Sequence, residues 1–592
     1  VRQVWLGLLV AMAGLASAAD VMPQDGWVVV NEVLTLRMRT RPEAATAIAQ
    51  RLRPLPDASK FVAEKREEAV VISSGPVVIL TVTPEEARAQ NSDPMALAQI
   101  WARRLEDAFA LPPLKSNTHD VLLAIGQTTE IPLVGRGARQ AQLVAEPAGA
   151  LRIERRTGMV RITASGKGNV NLTAKIGNET WFWRVNAAPW AVKQNTPLQA
   201  QVTGTTARAE VVAAAAAAAV QSRFATEPGA MIRLRGIRTG PLSAGNSGRA
   251  LVDVLVHGVG LYPWTGTVEV RMQNITARRE TTEQLWYSNE PENLRDPQTL
   301  YSRWLTTGRP ARLLTHQRNR GTAPLVSLVK LVNYGQTTAR VSLIAGDGGV
   351  DQNPTLAGYR AGEAFMPDWK EGASLVLQIP PGSSVPVQVH ELEYGDTSSG
   401  LYVFHMLEGA PDSVMMVHEA VAPASMPPKW REASRVERPY TMARPETIPV
   451  GTIIMNRTNS PVFPEPKRVE TFDYEAGGRI TFLRLGQQAV TGNEGEALLG
   501  NFGVVYELNG TIKNPTDRVA PTEVVFESSA GYTGALIFVN GTLMKIPLLQ
   551  PKTEHRMRLF NLQPGQTVRM NMVTIPLSGG SYPATITIRP VE

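Results

Sequence analysis

The spacing of apolar residues changes character several times along this chain, and each change predicts an element. Val4–Leu15 is an unbroken apolar run behind Arg2 and ahead of Ala16-Ser17-Ala18. A basic residue, a short apolar stretch and small residues at the cleavage positions predict a secretory signal peptide over residues 1–19. The run is too short for a permanent membrane span. Residues 20–115 then read as an α+β domain. Trp27–Met38 is Val- and Leu-rich and predicts a strand. Ala45, Ile48, Ala49 and Leu52 fall at helical spacing, closed by Pro54. Val70–Ile72 and Val77–Val82 predict strands broken at Gly75-Pro76. Thr83-Pro84-Glu85-Glu86 has the order of a capping box, with Thr83 as cap and Glu86 reaching back. A longer helix from Asp93-Pro94 carries Leu97, Trp101, Leu105, Ala108 and Phe109 on one stripe.

Period-two alternation takes over at residues 116–192 and predicts a small β-sandwich, with turns at Gly135-Arg136-Gly137, Ser165–Gly168 and Gly177-Asn178. Alternation places Trp181, Trp183 and Val185 on one face, which suits a core; a sugar-stacking platform is the alternative. Residues 193–279 form an α+β segment: a polar linker, an Ala-rich helix over 208–224, and strands at Met231–Arg238, Ala250–Val256 and Gly266–Met272. Residues 280–425 hold short strands divided by Gly, Pro and Asn, and predict a further β-sandwich. The Pro-rich stretch 426–449 is a linker or surface strap. Residues 450–592 form a C-terminal β-sandwich, with hairpin signals at Asn509-Gly510 and Asn540-Gly541. The fold class is therefore mainly β and multidomain: immunoglobulin-like β-sandwiches behind a small N-terminal α+β domain.

Composition narrows the chemistry. At 592 residues the chain exceeds a single core. Cys is absent, which excludes disulfides, a lipid-modified N-terminus, thiol nucleophiles and thiolate metal sites. The net charge of +7 is spread thinly, with scattered pairs such as Arg155-Arg156 and Arg278-Arg279. That pattern is a solvated basic surface and not a nucleic-acid tract. No transmembrane segment is expected after signal cleavage, because Val211–Val220 is short and mostly Ala.

The chain carries no Gly-x-Ser-x-Gly elbow, His-Glu-x-x-His, phosphate loop or dinucleotide fingerprint. Ser327-Leu328-Val329-Lys330 matches Ser-x-x-Lys but falls inside a predicted strand, whereas that chemistry needs the Ser at a helix start. Asp347–Asn353 could wrap Ca²⁺; it lacks the spacing of a calcium hand and reads as a Gly-rich turn. His390, His405, Met406, Met415, Met416 and His418 are the one concentration of soft and imidazole ligands, a set that suits copper. Strand parity places His405 with Val403 and Leu407, and His418 with Met416 and Ala420, so a Met-filled core is the competing reading. Whether His390, His405 and His418 converge is left to the structure. No catalytic, cofactor-binding or metal residue is assigned, and no cofactor is expected.

Two stretches carry resemblances. "EAATAIAQRL", "VVILTVTPEEARAQNSDP" and "LAQIWARRLEDAF" resemble periplasmic modules ahead of some bacterial envelope proteins, including certain mechanosensitive channels. "VLLAIGQTTEIPL" followed by "GMVRITASGKGNVNLTAKIGN", within 117–190, is similar to the N-terminal domain of bacterial pilus-formation and secretin proteins, and to bacterial immunoglobulin-like domains. These resemblances imply an envelope β-module. With the signal peptide and the missing catalytic motifs, they lead to an exported, non-catalytic scaffold or binding protein. Its place would be the periplasm, the outer envelope or the cell exterior, and its partner a protein or cell-surface component. A polysaccharide-active enzyme or a carbohydrate-binding protein is the alternative.

Overall fold

The computed structural model describes residues 18–275, 277, 283–433, 440, 443–448, 461–529 and 531–591. The apolar run of the expected signal peptide lies outside the described residues, as does much of the 426–449 linker. The described chain forms two compact units.

The first unit comprises the chain up to Ala191 with Glu227–Ala230 and His257–Trp264. Its α+β module has two three-stranded antiparallel sheets, Val21–Gln24 with Trp27–Val30 and Val33–Arg37, and Val62–Arg66 with Ala69–Ser74 and Val77–Val82. Helices α1 (Ala44–Leu52), α2 (Pro84–Ala89) and α3 (Pro94–Phe109) complete it. Ala45, Ile48, Ala49 and Leu52 of α1 are buried, and so is the α3 stripe through Trp101. The expected single strand over Trp27–Met38 is instead a hairpin. Asn31 and Glu32 take φ of 52° and 67° and reverse the chain. Asn31 is suited to that conformation, and its side chain is fixed there, donating to Ala108 O at 2.8 Å and accepting from Asp20 N at 2.8 Å.

Thr83 caps α2 as expected, its Oγ1 accepting from Glu86 N at 3.2 Å. The Glu86 carboxylate, however, leaves the capping box. It accepts from Arg39 N (2.7 Å), from Thr40 N (2.9 Å) and Oγ1 (2.5 Å), and from Gln90 Nε2 (3.0 Å). Burial alone would raise this carboxyl's pKa; the hydrogen bonds from Thr40, Arg39 and Gln90 outweigh it and hold it below the ordinary 4.5. A depressed folded pKa gives stability that is full above the unfolded value and lost as pH falls through the folded one. Glu86→Gln is thus expected to cost about 2 kcal/mol at neutral pH in urea unfolding. The gap to the parent should close as the carboxylate protonates.

The small sandwich pairs a three-stranded sheet (Thr128–Pro132, Leu151–Arg156, Met159–Ala164) with a four-stranded one (Asp120–Ala124, Gln142–Glu146, Gly168–Ile176, Glu179–Ala188) around Val160, Ile162, Leu172 and Trp183. It is tied to the α+β module by Gly135 N to Asn31 O (2.9 Å), Gly158 N to Glu32 Oε2 (2.8 Å), Thr157 Oγ1 to Gln24 Oε1 (2.6 Å) and the Arg136–Asp57 ion pair.

The second unit is built on an eleven-stranded mixed sheet. Leu198–Val202 runs parallel to Trp264–Asn274 and meets Leu375–Ile379, so strands from 193–279 and 280–425 share one sheet. Helix α4 (Ala209–Arg223) is the Ala-rich helix. It contacts Leu198–Val202 and Leu375–Ile379 and is buried nearly all round, as its small side chains permit. A five-stranded sheet (Gln298–Trp304, Val414–Val421, Leu325–Asn333, Ser383–Leu392, Glu446–Thr447) faces the large one. Its outer side is covered by Met426, Ala443 and Trp430, the last on α6 (Pro428–Ala433) and donating to Arg444 O at 2.9 Å.

Helix α5 (Pro354–Glu371) lies in a region expected to be mostly β, a sandwich without a helix. Its end signals are nonetheless in the sequence. Asn353 Oδ1 accepts from Thr355 N and Leu356 N, Pro354 takes the first turn, and Gly372 closes the helix at φ 64°. Asp347–Asn353, expected as a Gly-rich turn in preference to a calcium loop, is instead the end of strand Ala339–Asp351 leading into the Asn353 cap of α5. The helix contacts that strand and the C-terminal sandwich strand Thr533–Val539. Buried Asp368 receives Arg208 Nε and Nη2 at 2.7 and 2.8 Å.

The C-terminal sandwich pairs a five-stranded sheet (Lys467–Glu475, Val505–Lys513, Thr533–Val539, Thr542–Leu549, Thr567–Thr574) with a four-stranded one (Thr481–Leu485, Ala520–Glu527, Glu554–Leu562, Ala584–Pro590). Asn540-Gly541 makes the expected hairpin turn, with φ of 49° and 85°. Asn509-Gly510 does not; it lies inside Val505–Lys513. Gly510 is required there for close approach, because a Cβ would sit 2.1 Å from Phe472 O on the neighbouring strand.

Candidate functional site: a sealed polar array in the central sandwich

The interior between the eleven- and five-stranded sheets is polar where a sandwich is ordinarily aliphatic. Alternation on Ser383–Leu392 turns Gln388 and His390 inward, and pairing sets Ser327 opposite His390 and His418 opposite Val329. The large sheet contributes Asp347, Thr315, Ser398 and Tyr402. All eight are buried.

Their hydrogen bonds form one chain. His390 Nε2 lies 2.8 Å from Asp347 Oδ1, and Nδ1 lies 2.6 Å from Ser398 Oγ. Gln388 Nε2 donates to Ser398 Oγ at 3.0 Å and to Ser327 Oγ at 2.8 Å. Gln388 Oε1 accepts from Tyr402 OH at 2.8 Å and from Thr315 Oγ1 at 3.3 Å. Ser327 Oγ continues to His418 Nε2 at 3.1 Å, and His418 Nδ1 reaches Ser288 Oγ at 2.8 Å. Burial, with a smaller electrostatic contribution from the neighbouring His390 ring, pushes the His418 pKa down to about 3. That ring is neutral at physiological pH.

Asp347–His390–Ser398 has the connectivity of an acyl-transfer triad, with the imidazole between an acid that fixes its tautomer and a hydroxyl it can deprotonate. Because Ser398 is wholly buried, this hydroxyl meets no external substrate. Sequence reasoning picked out His390 and His418 but missed Asp347, Gln388 and Ser398 as their partners. The missed signal was polar residues at inward positions of otherwise apolar strands.

The three singled-out imidazoles do not converge. His390 and His418 share the array through Ser398, Gln388 and Ser327, whereas His405 pairs with Ser342 and opens into a separate cavity. Among the described residues no three His, Cys, Asp or Glu are placed to hold a metal ion. Met415 and Met416 are buried in the five-stranded sheet. Ser327, of the Ser-x-x-Lys match, sits mid-strand as expected. The separate cavity, about 360 Å³, is lined by Trp369, Glu283, Glu371, His405 and Ser342. Of the four tryptophans expected in cores, Trp183 and Trp286 are fully buried, while Trp181 and Trp264 are half-buried. Trp181 stacks on His119 at 4.8 Å.

A family described as "Domain of unknown function (DUF8459)" matches residues 30–111. No curated protein matches the chain. Among solved structures, the tandem immunoglobulin domains of titin are similar at 12% identity, over 28% of this chain and 97% of that one, with a TM-score of 0.13. Domains 5–6 of the S-layer protein SbsC are similar at 13% identity, over 28% and 98%, with a TM-score of 0.12. An endo-fucoidan hydrolase of glycoside hydrolase family 107 is similar at 11% identity, over 51% of this chain and about half (48%) of that one, with a TM-score of 0.14. The chain is a mainly β, multidomain protein of β-sandwiches with a small N-terminal α+β domain.

Proposed function

We propose that this is an exported, non-catalytic scaffold or binding protein of the cell envelope or surface, acting through protein–protein contacts. The observation that carries the reading is the outward face of the four-stranded sheet in the small sandwich. Phe182, Leu122 and Val144 are 61, 47 and 40% exposed there. Val144 and Phe182 flank Thr173 in one cross-strand row, and Leu122 pairs with Asn186, two residues beyond the Arg184–Asp120 ion pair of 2.8 Å. An exposed aromatic beside aliphatics and a charged pair is the composition of a contact face. The test is in-cell crosslinking of the full chain followed by identification of the adduct. A discrete protein adduct is expected, reduced at least about tenfold by Phe182→Asp. A freely diffusing monomer without adduct would overturn the reading.

A second reading, carbohydrate binding, is favoured by the 360 Å³ cavity with its indole, imidazole and two carboxylates. Binding isotherms with envelope polysaccharides, parent against Glu371→Gln, would test it.

A further inference from the structure

We propose that the central sandwich cross-links itself: Ser398 forms an internal ester with the side chain of Gln388, with His390 as base. The nucleophile, base, positioning acid and oxyanion donors of acyl transfer all lie within this array. Ser398 Oγ already accepts a hydrogen bond from Gln388 Nε2 at 3.0 Å, so its own proton is directed to His390 Nδ1, 2.6 Å away. Asp347 is a positioning residue. It holds the opposite ring nitrogen at 2.8 Å, keeping that nitrogen protonated and Nδ1 free to act as base. The amide oxygen of Gln388 faces two donors, Tyr402 OH at 2.8 Å and Thr315 Oγ1 at 3.3 Å, as a developing oxyanion requires. Tyr402 reaches it because residue 400 is Gly; a Cβ there would lie 2.4 Å from the Tyr402 ring.

The step balances without a co-reactant. The Ser398 Oγ–Hγ bond breaks and its proton passes to His390 Nδ1. Oγ bonds to Gln388 Cδ, and the charge gathers on Oε1. The Cδ–Nε2 bond then breaks as His390 returns the proton to the leaving nitrogen. One ammonia departs, the carbon remains at the acid oxidation level, and His390 is neutral again. Departure of ammonia drives the exchange, and burial of both Ser398 and Gln388 keeps out the water that would hydrolyse the product. Gln388 belongs to the five-stranded sheet and Ser398 to the eleven-stranded one, so the ester would bridge the two layers of a chain that has no Cys.

The experiment is peptide mapping of the full-length parent chain by mass spectrometry after denaturation. The expected result is a linked peptide pair containing residues 388 and 398, lighter than the two unmodified peptides by one ammonia and separated by hydroxylamine. Ser398→Ala should yield unlinked peptides with Gln388 intact. Recovery of unlinked parent peptides with Gln or Glu at 388 would overturn the proposal, and so would a link from Gln388 to another residue. Because the deciding measurement is made on the parent chain, failure of a variant to fold does not obscure it.

Discussion

Gly358→Ala is expected to destabilise the second unit by about 3 kcal/mol or more, although alanine is the better helix former by about 1 kcal/mol. The two effects have opposite signs, so the direction of the change is itself the test. Gly358 lies on α5 where a Cβ would sit 1.8 Å from the carbonyl oxygen of Ser578. That neighbour is backbone, so no rotamer change relieves the clash. One turn on, a Cβ at Gly362 would meet Leu577 and Leu536 at 2.5 and 2.9 Å. On the other side, Gly348 approaches Ala357 O and Gly346 approaches Phe365 and Ala361 O, with built Cβ contacts of 2.2–2.5 Å. Chemical denaturation of the full chain would measure the loss. Gly362→Ala should cost less than Gly358→Ala, because leucine side chains can move. A neutral or stabilising Gly358→Ala would show that α5 is not held against backbone there.

Acidification from pH 7 to 4 should cost the second unit on the order of 6 kcal/mol through two buried imidazoles alone. Burial lowers His316 from 6.5 to about 4, and His418 is lowered to about 3. Both rings are held neutral in the fold, so on acidification the unfolded chain takes up protons first. Stability is full above the unfolded value of 6.5 and drains away as pH falls toward the folded values. Each ring contributes on the order of 3 kcal/mol by pH 4. The rings differ in what replaces them. Both nitrogens of His316 lack a partner, so His316→Leu sacrifices no hydrogen bond and should flatten the pH dependence of urea unfolding between 6.5 and 4. His418 is bonded to Ser288 and Ser327, so its replacement should lower stability at neutral pH as well. An unchanged slope in His316→Leu would refute the assignment.

Local periodicity made much of this architecture legible. The α1 and α3 stripes, the Ala-rich helix and the inward Trp183 follow from spacing and small-residue packing, and all are found. The failures come from tertiary demands on short motifs. Asn509-Gly510 has turn chemistry, yet its Gly answers the close approach of Phe472. Glu86 stands where a capping box needs it, yet three backbone and side-chain donors at residues 39 and 40 claim its carboxylate. Helix α5 went unseen because the chain around it is strand-rich and its glycines, needed for packing, dilute the helical signal. For the polar array, strand parity around His418 was legible but its partners were not, because Ser288 and Ser327 come from strands far apart in sequence.

The placement of α4 sets an order of events in folding. The helix is covered by Leu375–Ile379, which follows it by a whole sandwich's worth of chain, and Leu198–Val202 pairs with that same late strand. Such non-local closure is slow, since the loop entropy is lost before the contacts form. Until residues 375–379 emerge, one side of a nearly featureless apolar helix stays uncovered. This segment is therefore expected to gain full protection only after residues 375–379 have joined the sheet, and to depend on chaperones while the chain is incomplete.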